Sequence, residues 1–542
     1  MDRRSFLGLG ALAAGSLASG MGSGSAAAFA DEPKWIPGAV VDTTLGRVRG
    51  LKQGKVNSFK GVYYAASTTG ERRFLPPAKR DPWTGMRDAF DLGLRAPQPA
   101  SILVPEYSVM EFIEPTGEDC LCLNVWTTGI KDGRKRPVMF WLHGGGFAAG
   151  SGFGTADYEG TNLAAKHDVV VVSSNHRLNV FGYLYLADIG GERFTQASNA
   201  GMLDIIAALE WVRDNIENFG GDPNNVTIFG QSGGGRKVST LLGMPAAKGL
   251  FHRAIAMSGA QPKAMSRADA TEMTETLLKR LDLDKSRIAD LQEVKMHTVL
   301  EASGGRTGNS LTGRFMPVVD GHSLPASPFD PAASDVSADI PLIIGSTETE
   351  VTWNVNQLYD PVDDGELHDS LKDLLHCGDS AVDNVIAVYK KGRPKAGNLD
   401  IFLLVATDAS DFRVASDIEA DRKAELGKAS VYKYYFQWYS PVRRGMLRAM
   451  HTMDIPFVFD NVDIAKTEIG SGPERQPLAD KMSAAYVAFA RTGNPNHSGI
   501  PNWPVFNTRA RPTMVWNNEC QVVNDPFEAE KSVLREARGQ HG

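Results

Sequence analysis

Residues 226–234 read Val226-Thr227-Ile228-Phe229-Gly230-Gln231-Ser232-Gly233-Gly234. A short apolar run of strand-forming residues leads straight into Gly-x-Ser-x-Gly. A serine on a sharp strand-to-helix turn sits in crowded backbone, so its neighbours must lack Cβ atoms. Gly230 and Gly234 meet that need on either side of Ser232. A helix opening just after the turn would aim its first amides at the place where charge develops on a carbonyl oxygen. The motif carries meaning only in that strand–turn–helix setting, and the residues before it supply the strand.

A serine hydroxyl needs a base, a carboxylate to orient that base, and amide donors for the developing oxyanion. In an open α/β sheet each of these follows the carboxyl end of a strand. The apolar residues 138–142 run into His143-Gly144-Gly145-Gly146-Phe147, where consecutive glycines leave backbone N–H groups unobstructed. The amide of Gly233, next after the serine, would be a further donor. The histidines after Ser232 are His252, His297, His322, His368, His376, His451, His497 and His541. His451 is the best placed, on a loop after the aromatic strand 430–438. The others fall in polar helical segments, at a strand start or near the tail. The strand 340–344 ends at Gly345-Ser346-Thr347-Glu348-Thr349-Glu350. Two glutamates compete there as the acid, and spacing alone leaves both open.

The strands at 138–142, 168–173, 226–229, 252–257, 340–344 and 430–438 interleave with helical segments. One such segment, 199–218, repeats its apolar residues Met202, Leu203, Ile206, Leu209, Val212 and Ile216 with helical period. This alternation predicts an α/β fold built on one parallel or mostly parallel sheet. The four valines within 168–173 suit a strand buried on both faces. Segments 261–335 and 355–425 read as helical insertions that cap the active edge of the sheet. No repeat or low-complexity linker divides residues 35–530.

Composition restricts the partners. The chain is 42% hydrophobic and 22% charged, the balance of a soluble globular protein. A net charge of −7 gives no reason to expect nucleic acid or an anionic membrane. No apolar run beyond the N-terminus is long enough to span a bilayer. Residues 1–30 stand apart. Arg3-Arg4-Ser5-Phe6-Leu7 precedes a Gly/Ala-rich apolar stretch and then Ala28-Phe29-Ala30, a small-x-small cleavage signal. This is the pattern of a bacterial twin-arginine export signal. It predicts a mature chain starting near Asp31 in the periplasm or outside the cell. Of the four cysteines, Cys120 and Cys122 would share one face of a strand, an awkward geometry for bonding each other. Cys377 and Cys520 complete three possible full pairings. No Cys or His spacing suggests a metal site.

Taken together the segments resemble the type-B carboxylesterase family of α/β-hydrolases, over nearly all of residues 40–525. Gly117-Glu118-Asp119-Cys120-Leu121-Cys122-Leu123-Asn124-Val125 is similar to one family signature. Phe219-Gly220-Gly221-Asp222-Pro223 with the serine turn is similar to another. Arg73-Phe74, Asn175-His176-Arg177, Asn199-Ala200-Gly201-Met202-Leu203-Asp204 and Gly493-Asn494-Pro495-Asn496 match further blocks. The resemblance implies a large, mostly parallel sheet flanked by helices. It implies Ser232 as nucleophile, His451 as base and Glu350, rather than Glu348, as acid. It implies an oxyanion hole from the amides of Gly145, Gly146 and Gly233, and a polar network of Ser258 and Asp454 behind the histidine. Arg73–Glu118 and Arg177–Asp204 would be structural ion pairs. The implied activity is hydrolysis of small-molecule carboxylic esters through an acyl-enzyme, without metal or organic cofactor. An amide or carbamate hydrolase would use the same triad, and a non-catalytic binding module is the alternative of another class.

Some positions depart from the family pattern. Gln231 stands where the family has Glu, so the histidine lacks a neighbouring carboxylate that would favour its imidazolium form. Gly233 replaces Ala, which would free space at an oxyanion donor. No Trp lies between Gln98 and Glu118, so the choline-binding aromatic is missing. The usual disulfide partner of Cys120 falls near Ala96. Arg236 and Lys237 bring two cations onto the helix after the serine, either solvated or paired there, or favouring acidic or polar substrates.

Overall fold

The computed structural model describes residues 35–539 apart from 100–104, 113, 305–309 and 355–361. The export signal expected in residues 1–30 lies outside the described residues. The thirteen strands of the sheet are β1 Ile36–Thr43, β2 Gly46–Gln53, β3 Val56–Tyr63, β4 Met86–Asp88, β5 Cys122–Thr127, β6 Arg136–Leu142, β7 Val170–Ser174, β8 Gly221–Gln231, β9 Arg253–Met257, β10 Leu342–Thr347, β11 Val431–Phe436, β12 Pro512–Trp516 and β13 Gln521–Asn524. Their order is β1-β2-β3-β5-β7-β6-β8-β9-β10-β11-β12-β13, with β4 attached to β2. The contiguous stretch from β7 to β12 is parallel throughout. Antiparallel strands flank it on both sides.

The valine run is explained by two apolar layers, one on each face of the sheet. Phe140, Val170, Val172, Ile228 and Ile344 join one core with Ile205, Leu209 and Val238, from helices Ala200–Asn215 and Gly233–Leu241. Met139, Trp141, Val171, Phe229 and Ile343 face the other, with Leu163, Met482 and Tyr486 from helices Thr161–His167 and Arg475–Thr492. Successive residues of a strand point to opposite faces. A strand covered on both faces therefore has no polar alternation to show.

The helical segments contain Arg267–Arg280 and Met296–Gly304 in one, and Asp364–Leu375, Asp379–Gly392, Asn398–Asp408 and Asp411–Glu425 in the other. The expected strand at 340–344 runs instead from Leu342 to Thr347, because Ser346 and Thr347 continue the ladder with Tyr435 and Phe436. Cys120 is not on a strand with Cys122. The Cys122 N–H donates to the Cys120 carbonyl at 2.8 Å, and β5 starts only there. All four cysteines are free thiols. Burial pushes the Cys122 thiol up to about 12.

Two buried ion pairs brace the regions next to the parallel sheet. Arg73 makes a two-pronged contact with Glu118 at 2.6 and 2.7 Å. Arg177 does the same with Asp204 at 2.8 and 2.6 Å. Removing one member of such a pair would leave an uncompensated buried charge, at a cost of about 3–5 kcal/mol.

Candidate active site

Ser232 is the single residue between β8 and helix Gly233–Leu241, with φ 58° and ψ −124°. A non-glycine residue there stores roughly 1–3 kcal/mol of strain. Backbone hydrogen bonds hold the turn: the Ser232 N–H donates to Met257 O at 2.8 Å, and the Arg236 N–H to Ser232 O at 3.1 Å. A Cβ on Gly230 would lie 2.6 Å from Leu142 O, and one on Gly234 would overlap the same carbonyl. The sequence reading of these two glycines as sterically required therefore has a concrete cause, the close passage of β6.

The chain leaves β6 into the glycine loop. Gly145 and Gly146 have φ of 87° and 63°, and the N–H groups of Ala148 and Ala149 both donate back to Gly145 O. Among the described residues the amides of Gly145, Gly146 and Gly233 have no backbone partner. A Cβ on Gly144 would come 3.3 Å from Gln231 O and 3.4 Å from Ser232 Cβ. The glycine at 233 does not free space. A Cβ there would run into the backbone N, Cα and O of Gly146. The room left by the missing methyl group is filled by the glycine loop itself, which approaches closer to the serine turn than an alanine would permit.

Glu350 follows β10 and His451 follows β11, and a parallel bridge between Thr349 and Met450 brings the two loops together. His451 Nδ1 lies 2.5 Å from Glu350 Oε2. The Thr347 N–H donates to the other Glu350 oxygen at 2.7 Å. Burial alone would raise the Glu350 carboxyl. The charge and hydrogen bond of His451, with help from Ser258 and the Thr347 amide, outweigh it and hold the group below the usual glutamate range. Glu348 points elsewhere. It accepts from Gln437 Nε2 at 3.0 Å and faces Arg393 at 3.8 Å, and burial raises its carboxyl. Asp454 is fully buried, accepts from the Tyr434 hydroxyl at 2.7 Å, and is pushed up to about 7 by burial. Gln231 Nε2 lies 3.3 Å from His451 Nε2. Among the described residues no cluster of three or more His, Cys, Asp or Glu is arranged to hold a metal ion.

This geometry sits in a chain whose residues 37–534 match the model of the Carboxylesterase family. The chain belongs to the carboxylesterase family. It is similar to the para-nitrobenzyl esterase of Bacillus subtilis (strain 168), at 33% identity over 92% of this chain and 99% of that protein. It is also similar to the phenmedipham hydrolase of Pseudarthrobacter oxydans, at 32% identity over 90% and 97%. Among solved structures, an esterase from Clostridium hathewayi that can hydrolyze aliphatic aromatic polyesters superposes with a TM-score of 0.81. It shares 33% identity and covers 93% of this chain and 100% of its own. A carboxylesterase of Geobacillus stearothermophilus gives 0.77 at 37% identity over 91% and 99%. The protein is an α/β-hydrolase-fold carboxylic-ester hydrolase. No helix of the described residues is long and apolar enough to cross a membrane.

In this carboxylesterase a pocket of about 390 Å³ brings Ser232, His451, Gly144, Gly145, Gly146 and Gln231 to one surface. Its wall also contains Arg95, Tyr107, Glu111, Tyr158, Arg236 and Phe412. Phe412 carried no signal in the sequence. It lies in the helix Asp411–Glu425, far along the chain, yet its ring centroid is 4.6 Å from that of His451. The two cations after the serine part company. Lys237 is fully buried and donates to the His143 carbonyl at 2.9 Å, supporting the glycine loop from behind. Arg236 alone of the two lines the pocket.

Proposed function

We propose that Ser232, His451 and Glu350 form the catalytic triad of this esterase, with the amides of Gly145, Gly146 and Gly233 as the oxyanion hole. The observation that carries this reading is the 2.5 Å contact between His451 Nδ1 and Glu350 beside the pocket that Ser232 lines. An ionised Glu350 accepts only, so Nδ1 must carry the proton and Nε2 the lone pair. Nε2 then takes the proton of Ser232 as its Oγ attacks the ester carbonyl. The imidazolium is stabilised by Glu350 and protonates the departing alkoxide. Water repeats the sequence on the acyl-enzyme, with His451 first removing and then returning a proton. The three free amides stabilise the oxyanion in both steps. Ser258 supports Glu350, and Asp454 belongs to the buried polar layer behind it. We place part of the pocket's outer wall with the helical segment 355–425, a reading supported by Phe412, whereas no residue of segment 261–335 is among the described lining residues. Residues 1–30 act, on this proposal, as a twin-arginine signal for export to the periplasm or beyond. Fusion of that segment to a reporter should give export that Arg3→Lys/Arg4→Lys abolishes.

Ser232→Ala should remove hydrolysis of a p-nitrophenyl ester while the chain stays folded by circular dichroism. Turnover at the parent rate in that variant would overturn the triad. Matched ester and amide substrates should show the ester cleaved far faster. Comparable rates would favour an amide hydrolase built on the same residues.

A further inference from the structure

Buried arginines in this chain are matched by carboxylates. Arg73 has Glu118, Arg177 has Asp204 and Arg413 has Asp408. Arg236, half-buried in the pocket wall, has no such partner. It stands four residues after Ser232, one helical turn on and along the same face. Its guanidinium lies 6.0 Å from the Phe412 ring, which in turn packs on His451. Among the described residues its side chain has no hydrogen bond and no ion pair. Burial lowers its pKa, and Asp411 opposes this only through space. A guanidinium nonetheless stays charged in a protein. Holding such a charge partly out of water with no carboxylate against it is unfavourable. The cost is recovered when the charge meets an anion that enters the pocket.

The rest of the wall is consistent with this. Arg95 engages the Glu114 carbonyl through Nε at 3.1 Å, and no carboxylate of a described residue pairs with it. Among the described lining residues the one acid is Glu111. Two arginines against one glutamate line the described wall, although the chain as a whole is at −7. Guanidinium is the group that receives a carboxylate with two parallel hydrogen bonds.

We propose that the preferred substrates are esters carrying a free carboxylate, and that Arg236 receives it. The proposal rests on the reading of Ser232 as nucleophile. The carboxylate could belong to the acyl part, as in a half-ester of a dicarboxylic acid, or to the alcohol part, as in an acylated hydroxy acid. Two arms distinguish them: 4-nitrophenyl hydrogen glutarate, and 4-butyryloxybenzoate, each beside its methyl ester as the neutral partner. A charge-assisted pair is worth about 1.5–3 kcal/mol, or roughly 10- to 100-fold in kcat/KM. The parent enzyme should favour the charged member by that factor in at least one arm. Arg236→Gln should collapse the charged-to-neutral ratio toward one, and Arg236→Lys should retain part of it. Equal kcat/KM for charged and neutral members in both arms overturns the proposal, as does a ratio that Arg236→Gln leaves unchanged. In either case neutral esters are still cleaved in a Ser232-dependent way. Failure of the parent enzyme to cleave any member would instead bring down the nucleophile assignment, and this inference with it.

Discussion

Replacing Gln231 by Glu puts a carboxylate where the Gln231 amide now lies 3.3 Å from His451 Nε2. The new charge favours the imidazolium over the neutral ring, and only the neutral ring can take the proton of Ser232. The sign is therefore fixed: the acid limb of the kcat/KM profile moves to higher pH. Two unit charges 4 Å apart attract by about 4 kcal/mol at an effective dielectric constant near 20. That corresponds to about 3 pH units at most. Gln231 is buried, so desolvation of the introduced carboxylate opposes the effect, and about 1–2 units should remain. The assay is kcat/KM for a neutral p-nitrophenyl ester from about pH 5 to pH 10, with Gln231→Glu beside the parent. The variant should lose about 10- to 100-fold at the acid end and converge with the parent at the alkaline end. An acid limb that stays in place, or moves down, would refute the argument that residue 231 acts electrostatically on His451.

Other substitutions test other parts. Glu350→Gln should lower kcat by orders of magnitude with little change in KM, because it removes the group that fixes the imidazole tautomer; Glu348→Gln should cost far less, since Glu348 turns to Gln437 and Arg393. Gly233→Ala should force the Gly146 loop back and cost about 10²- to 10³-fold in kcat, the scale of losing one oxyanion donor; unchanged kcat would mean the loop yields freely. Glu419 is buried and its carboxyl is pushed up to about 8 by burial. The folded chain thus holds a proton that the unfolded chain releases above about pH 4.3, so this group's effect on stability worsens as pH rises from there to about 8. Glu419→Gln should therefore raise Tm more at pH 8.5 than at pH 5.5, and an equal change at both would contradict the assignment.

The parallel core of the fold was legible because central strands in a covered sheet are continuous apolar runs: β6, β7, β8 and β9 stand out in the sequence. The outer strands β1 to β4 and β13 did not, because they mix polar and apolar residues, and all but β3 are partly exposed. In the candidate site, Ser232 and the glycine loop announced themselves through backbone requirements that only glycine meets. Glu350 and Glu348 could not be separated by spacing, since the choice depends on which one the Thr349–Met450 bridge turns toward His451. The expectation of free room at Gly233 failed for a related reason. A missing methyl group says nothing about what packs into its place, and here Gly146 does. Phe412 and the division of labour between Arg236 and Lys237 arise from tertiary packing alone.

The most direct test of the central claim is peptide mapping by mass spectrometry after a fluorophosphonate probe or a slow ester is added to the full-length enzyme. A single adduct on Ser232 is expected, formed at a greatly reduced rate in His451→Ala. An adduct on any other residue, or ester turnover with Ser232 left unmodified, would contradict it.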